Sequence, residues 1–91
     1  TDFNPGSNFC LSMPMAISLA VLKLRLTPEE AIIAATLNGA HALKRAHLVG
    51  SLEAGKQADF VVLNTLQWRE WPYAYGVNLI RQVFKKGQLV A

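Results

Sequence analysis

The residues with the clearest chemical potential lie in the first seven positions, TDFNPGS. Asp2 offers a hard anionic oxygen, which can bind a metal ion or accept a proton from water. The stretch from Asn4 to Ser7 has the composition of a tight turn, with Asn first, Pro fixing φ at the second position, and Gly free to adopt positive φ at the third. A carboxylate beside such a turn predicts a small polar site.

The turn also predicts a binding place for an anion. We expect the N–H groups of Gly6 and Ser7 to point outward and, with the Ser7 hydroxyl, to form a small concavity for negative charge. The Asn4 amide adds one donor group and one acceptor. A substrate carboxylate would fit there. The residue types equally permit a plain surface turn with a solvated carboxylate, because short motifs of this kind recur by chance.

The other residues that could bind a metal do not form a recognisable site. His41 is predicted to lie within a helix and His47 just beyond it, without a carboxylate at helical spacing. We expect both to be packing or surface residues, since histidine metal sites need convergent partners. Cys10 is the only cysteine, so no disulfide can form within the chain and no zinc site is indicated.

Composition argues against nucleic-acid and membrane binding. The net charge of +3 comes from scattered residues rather than from a basic stripe or a recognisable module. The apolar stretch from Met13 to Leu22 is interrupted by Ser18 and is shorter than the ~18–20 residues of a membrane span. No basic segment precedes it, as a signal peptide would require. The composition suits a reducing cytoplasm, and we expect a cytoplasmic location.

Two helices are predicted in the first half of the chain. Ser12 and Pro14 mark the start of the first, which carries two apolar stripes and is therefore expected to be buried on two sides. The second begins at Thr27, where Glu30 is placed to complete a capping box, and is predicted to run to about Lys44. The stripes are Ile17, Val21, Leu24 and Leu19, Leu22, Leu26; the second helix carries a small-residue face of Ala31, Ala34, Ala35 and Ala42.

After Gly50 the pattern changes to that of strands. Residues 58–63 predict a buried strand and residues 81–85 an alternating one. Lys86-Gly87 predicts a short turn into a final strand at 88–90, and residues 68–78 an aromatic loop between the strands. A mixed α+β chain without a closed sheet of its own is expected. Its 52% apolar and 16% charged residues predict that much of its surface meets a partner.

Four segments of the sequence are informative together: residues 1–7, residues 27–31 with 34–38, residues 50–59 and residues 73–78. They resemble the C-terminal part of the imidazolonepropionases, a family of the amidohydrolase superfamily that acts in histidine degradation. The Gly-Ser-Leu-x-x-Gly-Lys-x-Ala-Asp motif of the third segment is typical of the whole superfamily, whereas the first and last segments are specific to imidazolonepropionases.

The resemblance implies an α/β parent fold, a (β/α)8 barrel that carries a small composite β-sandwich. Residues 1–48 would be the closing segment of the barrel, with the loop after its last strand and the two helices. Residues 49–91 would supply strands to the sandwich. Asp2 would then lie at the C-terminal end of the last barrel strand, the face where the active sites of such barrels lie.

The resemblance also implies the chemistry. Asp2 would be a metal ligand and a catalytic residue, and Asn4, Gly6 and Ser7 would contact substrate or product. One zinc or iron ion would lower the pKa of a bound water and polarise the carbonyl of 4-imidazolone-5-propionate. Attack on that carbonyl and cleavage of the ring C–N bond would give N-formimidoyl-L-glutamate.

The chain departs from the family in one respect: nothing in it matches the His-x-His pair and the further histidine ligand of the family. A metal held by one carboxylate is not a catalytic site. The absence of an initiator Met also favours a fragment, which alone we expect to be inactive and free of metal. Two alternatives remain open, another metal-dependent amidohydrolase and a non-catalytic, self-associating domain. The expected partners are a small-molecule substrate and a second copy of the chain, in a homo-oligomer.

Overall fold

Helices occupy the first half of the computed structural model, which describes residues 1–91. Helix α1 is short, and after it the chain enters a longer helical stretch whose middle is a wider π-helical turn. The segments are α1 (Met13–Leu22), α2 (Pro28–Ile33), the π-helical turn (Ala34–Asn38) and α3 (Gly39–Ala42).

A small antiparallel sheet occupies the second half. Its three strands follow the order β1-β2-β3, and a 3₁₀-helix precedes β2 in the segment that the sequence predicted to be a loop. The chain is therefore a mixed α+β piece with an open sheet, as predicted. The elements are β1 (Phe60–Leu63), the 3₁₀-helix (Trp68–Tyr73), β2 (Ile80–Lys85) and β3 (Gln88–Leu89).

The predicted start of α1 is confirmed, but one of its apolar stripes is shorter than predicted. The Ser12 hydroxyl accepts the Met15 N–H at 3.2 Å, as an N-cap residue does. Ile17 and Val21 are buried, whereas Leu24 lies beyond the helix and is 71% exposed. The helix ends at Leu22 because the chain soon turns through a left-handed residue, Arg25, with φ of 60°.

The second apolar stripe of α1 is not covered within the chain. Leu19 and Leu22 are 48% and 42% exposed, and Leu26 is half-buried. The expectation that the helix is buried on two sides is therefore wrong for these 91 residues. One face packs on the rest of the chain, and the other lies open.

The capping box at the start of α2 is present as predicted. The Thr27 hydroxyl accepts the Glu30 N–H at 3.2 Å, and the Glu30 carboxylate accepts the Thr27 N–H at 2.8 Å. The helical stretch ends at Ala42, two residues before the predicted end, and Lys44 has a positive φ of 57°. The π-helical turn was not predicted; within it, the Thr36 hydroxyl donates to the Ile32 carbonyl at 2.7 Å.

The predicted small-residue face is only partly used for close packing. Ala31 is buried, but Ala34 and Ala42 are exposed. The closest approach is instead made by Gly50, where φ is +99° and an added Cβ would lie 2.7 Å from the Ala40 Cβ. Only Gly fits at that position, since it lacks the atom that would collide and tolerates positive φ.

The sheet follows the predicted hairpin. Strand β1 pairs with β2 so that Phe60 faces Phe84, and their rings stack with centroids 4.6 Å apart. The turn Lys86-Gly87 joins β2 to β3, as predicted. Strand β1 begins two residues later than predicted, at Phe60, and Val61 within it is 41% exposed.

The core is small. Six of the 91 residues are buried, and Ile17, Val21 and Ala31 form its centre, against which Trp71 packs. Many large apolar side chains are exposed, among them Leu66, so most of the apolar surface has no cover within the chain. No helix is both long enough and apolar enough to cross a membrane.

Candidate functional site

The predicted site residues lie in one loop that is closed by two asparagines. Asn4 and Asn8 form an isolated β-bridge, with backbone N–H to carbonyl distances of 2.8 and 3.3 Å. The Asn8 side chain donates to the Thr1 carbonyl at 2.5 Å and accepts the Cys10 N–H at 2.8 Å. Asn8 therefore holds the chain before the turn to the chain after it.

Asn8 was missed as a structural residue of this site. The signal was present in the sequence, because an Asn on each side of a three-residue Pro-Gly-Ser segment can hydrogen-bond the backbone across the turn.

The N–H groups of the turn do not point into open space, contrary to the prediction. The Asn4 carboxamide oxygen Oδ1 accepts the N–H of Gly6 at 2.9 Å and the N–H of Ser7 at 2.8 Å. It also accepts the Ser7 hydroxyl at 3.2 Å. The physical reason is that an Asn side chain can bond to its own backbone two residues on, which satisfies those donors locally.

The expected backbone conformation of the turn is also corrected. Gly6 does not adopt positive φ; the glycines that do are Gly50, Gly55 and Gly87. The left-handed residue of the loop is Asp2, with φ of 53°. Asp is one of the few non-glycine residues that enter this region readily.

Asp2 is joined to the turn through its main chain and leaves its carboxylate unengaged. Its carbonyl oxygen accepts the Asn4 Nδ2 at 2.9 Å and the Asn8 Nδ2 at 3.4 Å. The residue is exposed, and its carboxylate makes no hydrogen bond or ion pair within the chain. Asp2, Asn4, Gly6 and Ser7 are thus brought together in one hydrogen-bonded loop, with the carboxylate free to meet another group.

Three carboxylates outside the loop have pKa values below their usual range. A hydrogen bond from its own backbone N–H lowers the pKa of Glu29 most, followed by one from Arg69, at 2.5 Å. Hydrogen bonds from Lys56 and then Ser51 lower the pKa of Glu53. These groups are paired within the chain, so they are structural rather than candidates for the site.

A third such carboxylate is Asp59, whose pKa is lowered chiefly by the backbone N–H of Lys86. It lies at the start of the sheet, far along the sequence from the loop.

The potential metal ligands of this chain do not form a metal centre. No three His, Cys, Asp or Glu side chains come together anywhere in the chain. His41 and His47 are both exposed, as expected of surface residues. Asp2 is therefore one potential ligand without companions among these 91 residues.

The pattern of the amidohydrolase family matches residues 1–90. The chain belongs to the amidohydrolase family. Its relatives include imidazolonepropionases from Geobacillus kaustophilus, 52% identical over 99% of this chain, and from Geobacillus thermodenitrificans, 49% identical over 99%. The imidazolonepropionase of Brevibacillus brevis is 44% identical over 99%.

The resemblance to imidazolonepropionases is thus confirmed along essentially the whole chain. The chain spans 21% of the length of each of these relatives. Among solved structures, the fold is similar to that of E. coli guanine deaminase, with a TM-score of 0.70 and 28% identity. That match covers 89% of this chain and 24% of the deaminase.

Proposed function

We propose that this chain is part of an imidazolonepropionase, which hydrolyses 4-imidazolone-5-propionate to N-formimidoyl-L-glutamate in histidine degradation. The observation that carries the proposal is the identity of 44–52% to imidazolonepropionases over almost every residue of the chain. The exposed Asp2 carboxylate beside a turn rich in hydrogen-bonding groups is consistent with it.

We propose that the chain occupies the place in the full-length fold that the resemblance implies. Residues 1–48 would close a (β/α)8 barrel, and residues 49–91 would join a composite β-sandwich. The distribution of elements supports this division, because α1 to α3 end at Ala42 and all strands begin at or after Phe60. The exposed apolar side chains, including Leu19 and Leu22 on α1, also support a chain that packs on further structure.

In this proposal the Asp2 carboxylate accepts the proton of the water that attacks the ring carbonyl. The new C–O bond forms as the water loses that proton, and the ring C–N bond then breaks. Asp2 returns the proton to the departing ring nitrogen, so the carboxylate is regenerated. Its freedom from hydrogen bonds and ion pairs within the chain leaves it available for both transfers.

Substrate binding by the turn requires a change in the Asn4 side chain. The three donors that could hold a propionate carboxylate are the Gly6 N–H, the Ser7 N–H and the Ser7 hydroxyl, and Asn4 Oδ1 takes all three. We propose that the substrate carboxylate takes the place of this oxygen and that the Asn4 amide N–H then turns to the substrate. A carboxylate oxygen is the stronger acceptor, because its hydrogen bonds are charge-assisted.

Metal dependence is proposed for the full-length protein only. Because no cluster of donors exists in these residues, a zinc or iron ion would need ligands from outside this chain, with Asp2 as one of them. Such an ion would supply activation of water and polarisation of the carbonyl when bound.

We also propose a second copy of the chain as a partner and a cytoplasmic location, with no binding to nucleic acid or membrane. The open face of α1 supports self-association, since exposed Leu19 and Leu22 lie one turn apart on it. Because each side chain is already about half buried, covering it would contribute roughly 0.7–1.5 kcal/mol.

The proposed activity is tested by assaying the full-length protein that carries these residues against 4-imidazolone-5-propionate, with guanine as the competing substrate. The likeness to guanine deaminase makes guanine the sharpest alternative. Turnover of the imidazolone and formation of N-formimidoyl-L-glutamate are expected. Turnover of guanine alone would assign a different amidohydrolase activity, and turnover of neither would contradict the proposal.

A further inference from the structure

The turn between β2 and β3 is held by a segment that precedes β1. Lys86 and Gly87 both have positive φ, 52° and 75°, as a tight two-residue hairpin turn requires. Gly adopts this conformation freely, but Lys does so at a cost. Something outside the turn must therefore stabilise Lys86 there.

Asp59 supplies that stabilisation. Its Oδ1 accepts the Lys86 N–H at 2.8 Å, and the neighbouring Ala58 carbonyl accepts the Gly87 N–H at 2.9 Å. Its Oδ2 accepts the Gln57 amide at 2.7 Å. Residues 58–59 thus accept both N–H groups of the left-handed turn, and the Gln57 amide holds the carboxylate in place.

We propose that the Asp59 carboxylate is an acid-released lock that holds the Lys86-Gly87 turn in its left-handed conformation and fixes the C-terminal hairpin on β1. Strand β3 has only two residues, Gln88–Leu89, and beyond it Val90 and Ala91 form backbone hydrogen bonds with Val83 of β2. The lock acts at the opposite end of this short pairing, at the turn itself.

Few charged groups lie close to the Asp59 carboxylate. Lys85 on β2 approaches it to 3.5 Å and is the one ionised side chain that pairs with it; Gln57 is neutral, and Lys86 contributes its backbone N–H. The pKa of Asp59 is lowered, first by the Lys86 N–H. A lowered folded-state pKa stabilises the fold above the ordinary value of 3.8, and this contribution is lost as the pH falls through the folded-state pKa.

Release of the lock also alters a groove in the chain. Asp59 and Phe60 line an apolar groove of about 720 Å³ between β1 and the helical stretch, and Phe60 stacks on Phe84 of β2. Loosening of the hairpin would therefore loosen one wall of this groove.

The test is amide hydrogen exchange of the full-length protein between pH 7 and pH 2, corrected for the intrinsic exchange rate. Protection of the Lys86 and Gly87 amides is expected to fall several-fold as the pH drops below the ordinary value of 3.8 and through the lowered folded-state pKa of Asp59, while amides of α1 stay protected. In Asp59→Asn, protection is expected to be several-fold weaker at pH 7 and not to change with pH. Glu70→Gln, at an exposed carboxylate without a partner in the chain, is the matched control and should behave as wild type.

A rescue variant separates the lock from general loss of stability. Asp59→Ala is expected to open the hairpin, and Lys86→Gly in that background should restore much of its protection, because Gly needs no help to adopt positive φ. Three results would overturn the proposal: equal pH dependence in wild type and Asp59→Asn, loss of protection in α1 together with the hairpin, or no rescue by Lys86→Gly.

Discussion

The carboxamide oxygen of Asn4 lies 2.8 Å from the backbone nitrogen of Ser7 and accepts its N–H. The oxygen also receives the N–H of Gly6 and the hydroxyl of Ser7, so one neutral atom takes every donor that the turn could offer to an anion. This relationship connects the conformation of the loop to the way in which a substrate carboxylate would bind.

Asn4→Asp in the full-length protein is expected to raise KM for imidazolonepropionate with a smaller change in kcat. A carboxylate at position 4 would still accept the three hydrogen bonds of the turn and strengthen them, although the donation from Asn4 Nδ2 to the Asp2 carbonyl would be lost. Its negative charge would repel the substrate propionate. Steady-state kinetics measure the effect. An unchanged KM in Asn4→Asp would contradict this role of Asn4.

Ser7→Ala is likewise expected to raise KM mainly, because it removes one substrate contact and leaves the reacting groups in place. The same kinetics decide the outcome. A fall in kcat with unchanged KM would place Ser7 in the chemical step instead.

Gly50→Ala is expected to destabilise the protein more than Gly55→Ala. Both glycines have positive φ, which costs about 1–2 kcal/mol for a residue with a Cβ. At Gly50 the Cβ would also meet Ala40 at 2.7 Å, adding about 1–3 kcal/mol of overpacking, whereas nothing lies within 4 Å at Gly55. Urea unfolding of the full-length variants measures the difference, and equal losses would contradict the close packing described for Gly50.

The 91-residue chain is expected to self-associate through α1. Leu22→Lys should shift it toward the monomer, because a charge on the open face opposes its burial. Leu66→Lys, at a fully exposed position outside the helices, is the control and should leave the association unchanged. Light scattering at micromolar concentration measures the size, and a stable wild-type monomer that unfolds cooperatively would contradict this prediction.

Local sequence signals predicted local structure well. The Thr27 and Glu30 capping box, the Ser12 N-cap and the Lys86-Gly87 turn each depend on residues close together in the chain, and the structure contains all three. The chemistry of such caps and turns is fixed by neighbours in sequence, so no knowledge of the tertiary fold is needed.

Features that depend on distant contacts were not predictable in the same way. Periodicity could not show that Leu24 lies past the end of α1, nor that Gly50 rather than the alanine face makes the closest approach to the helical stretch. The predicted anion cradle failed for a different reason, because the donors and Asn4 Oδ1 are neighbours that satisfy each other. The residue types of the turn do not show whether its N–H groups bond to the Asn4 side chain or to a bound anion.

The most direct test of the proposed function is the turnover of 4-imidazolone-5-propionate by the full-length protein and by its Asp2→Asn variant. Asn keeps the size of the side chain but cannot accept the proton of the attacking water as a carboxylate does. The expected result is formation of N-formimidoyl-L-glutamate by the wild type and a fall in kcat of about 10²–10⁴-fold in the variant. Circular dichroism should show that the variant keeps the wild-type fold. An Asp2→Asn variant as active as the wild type would contradict the central role of Asp2, and a wild type without this activity would contradict the proposed function itself.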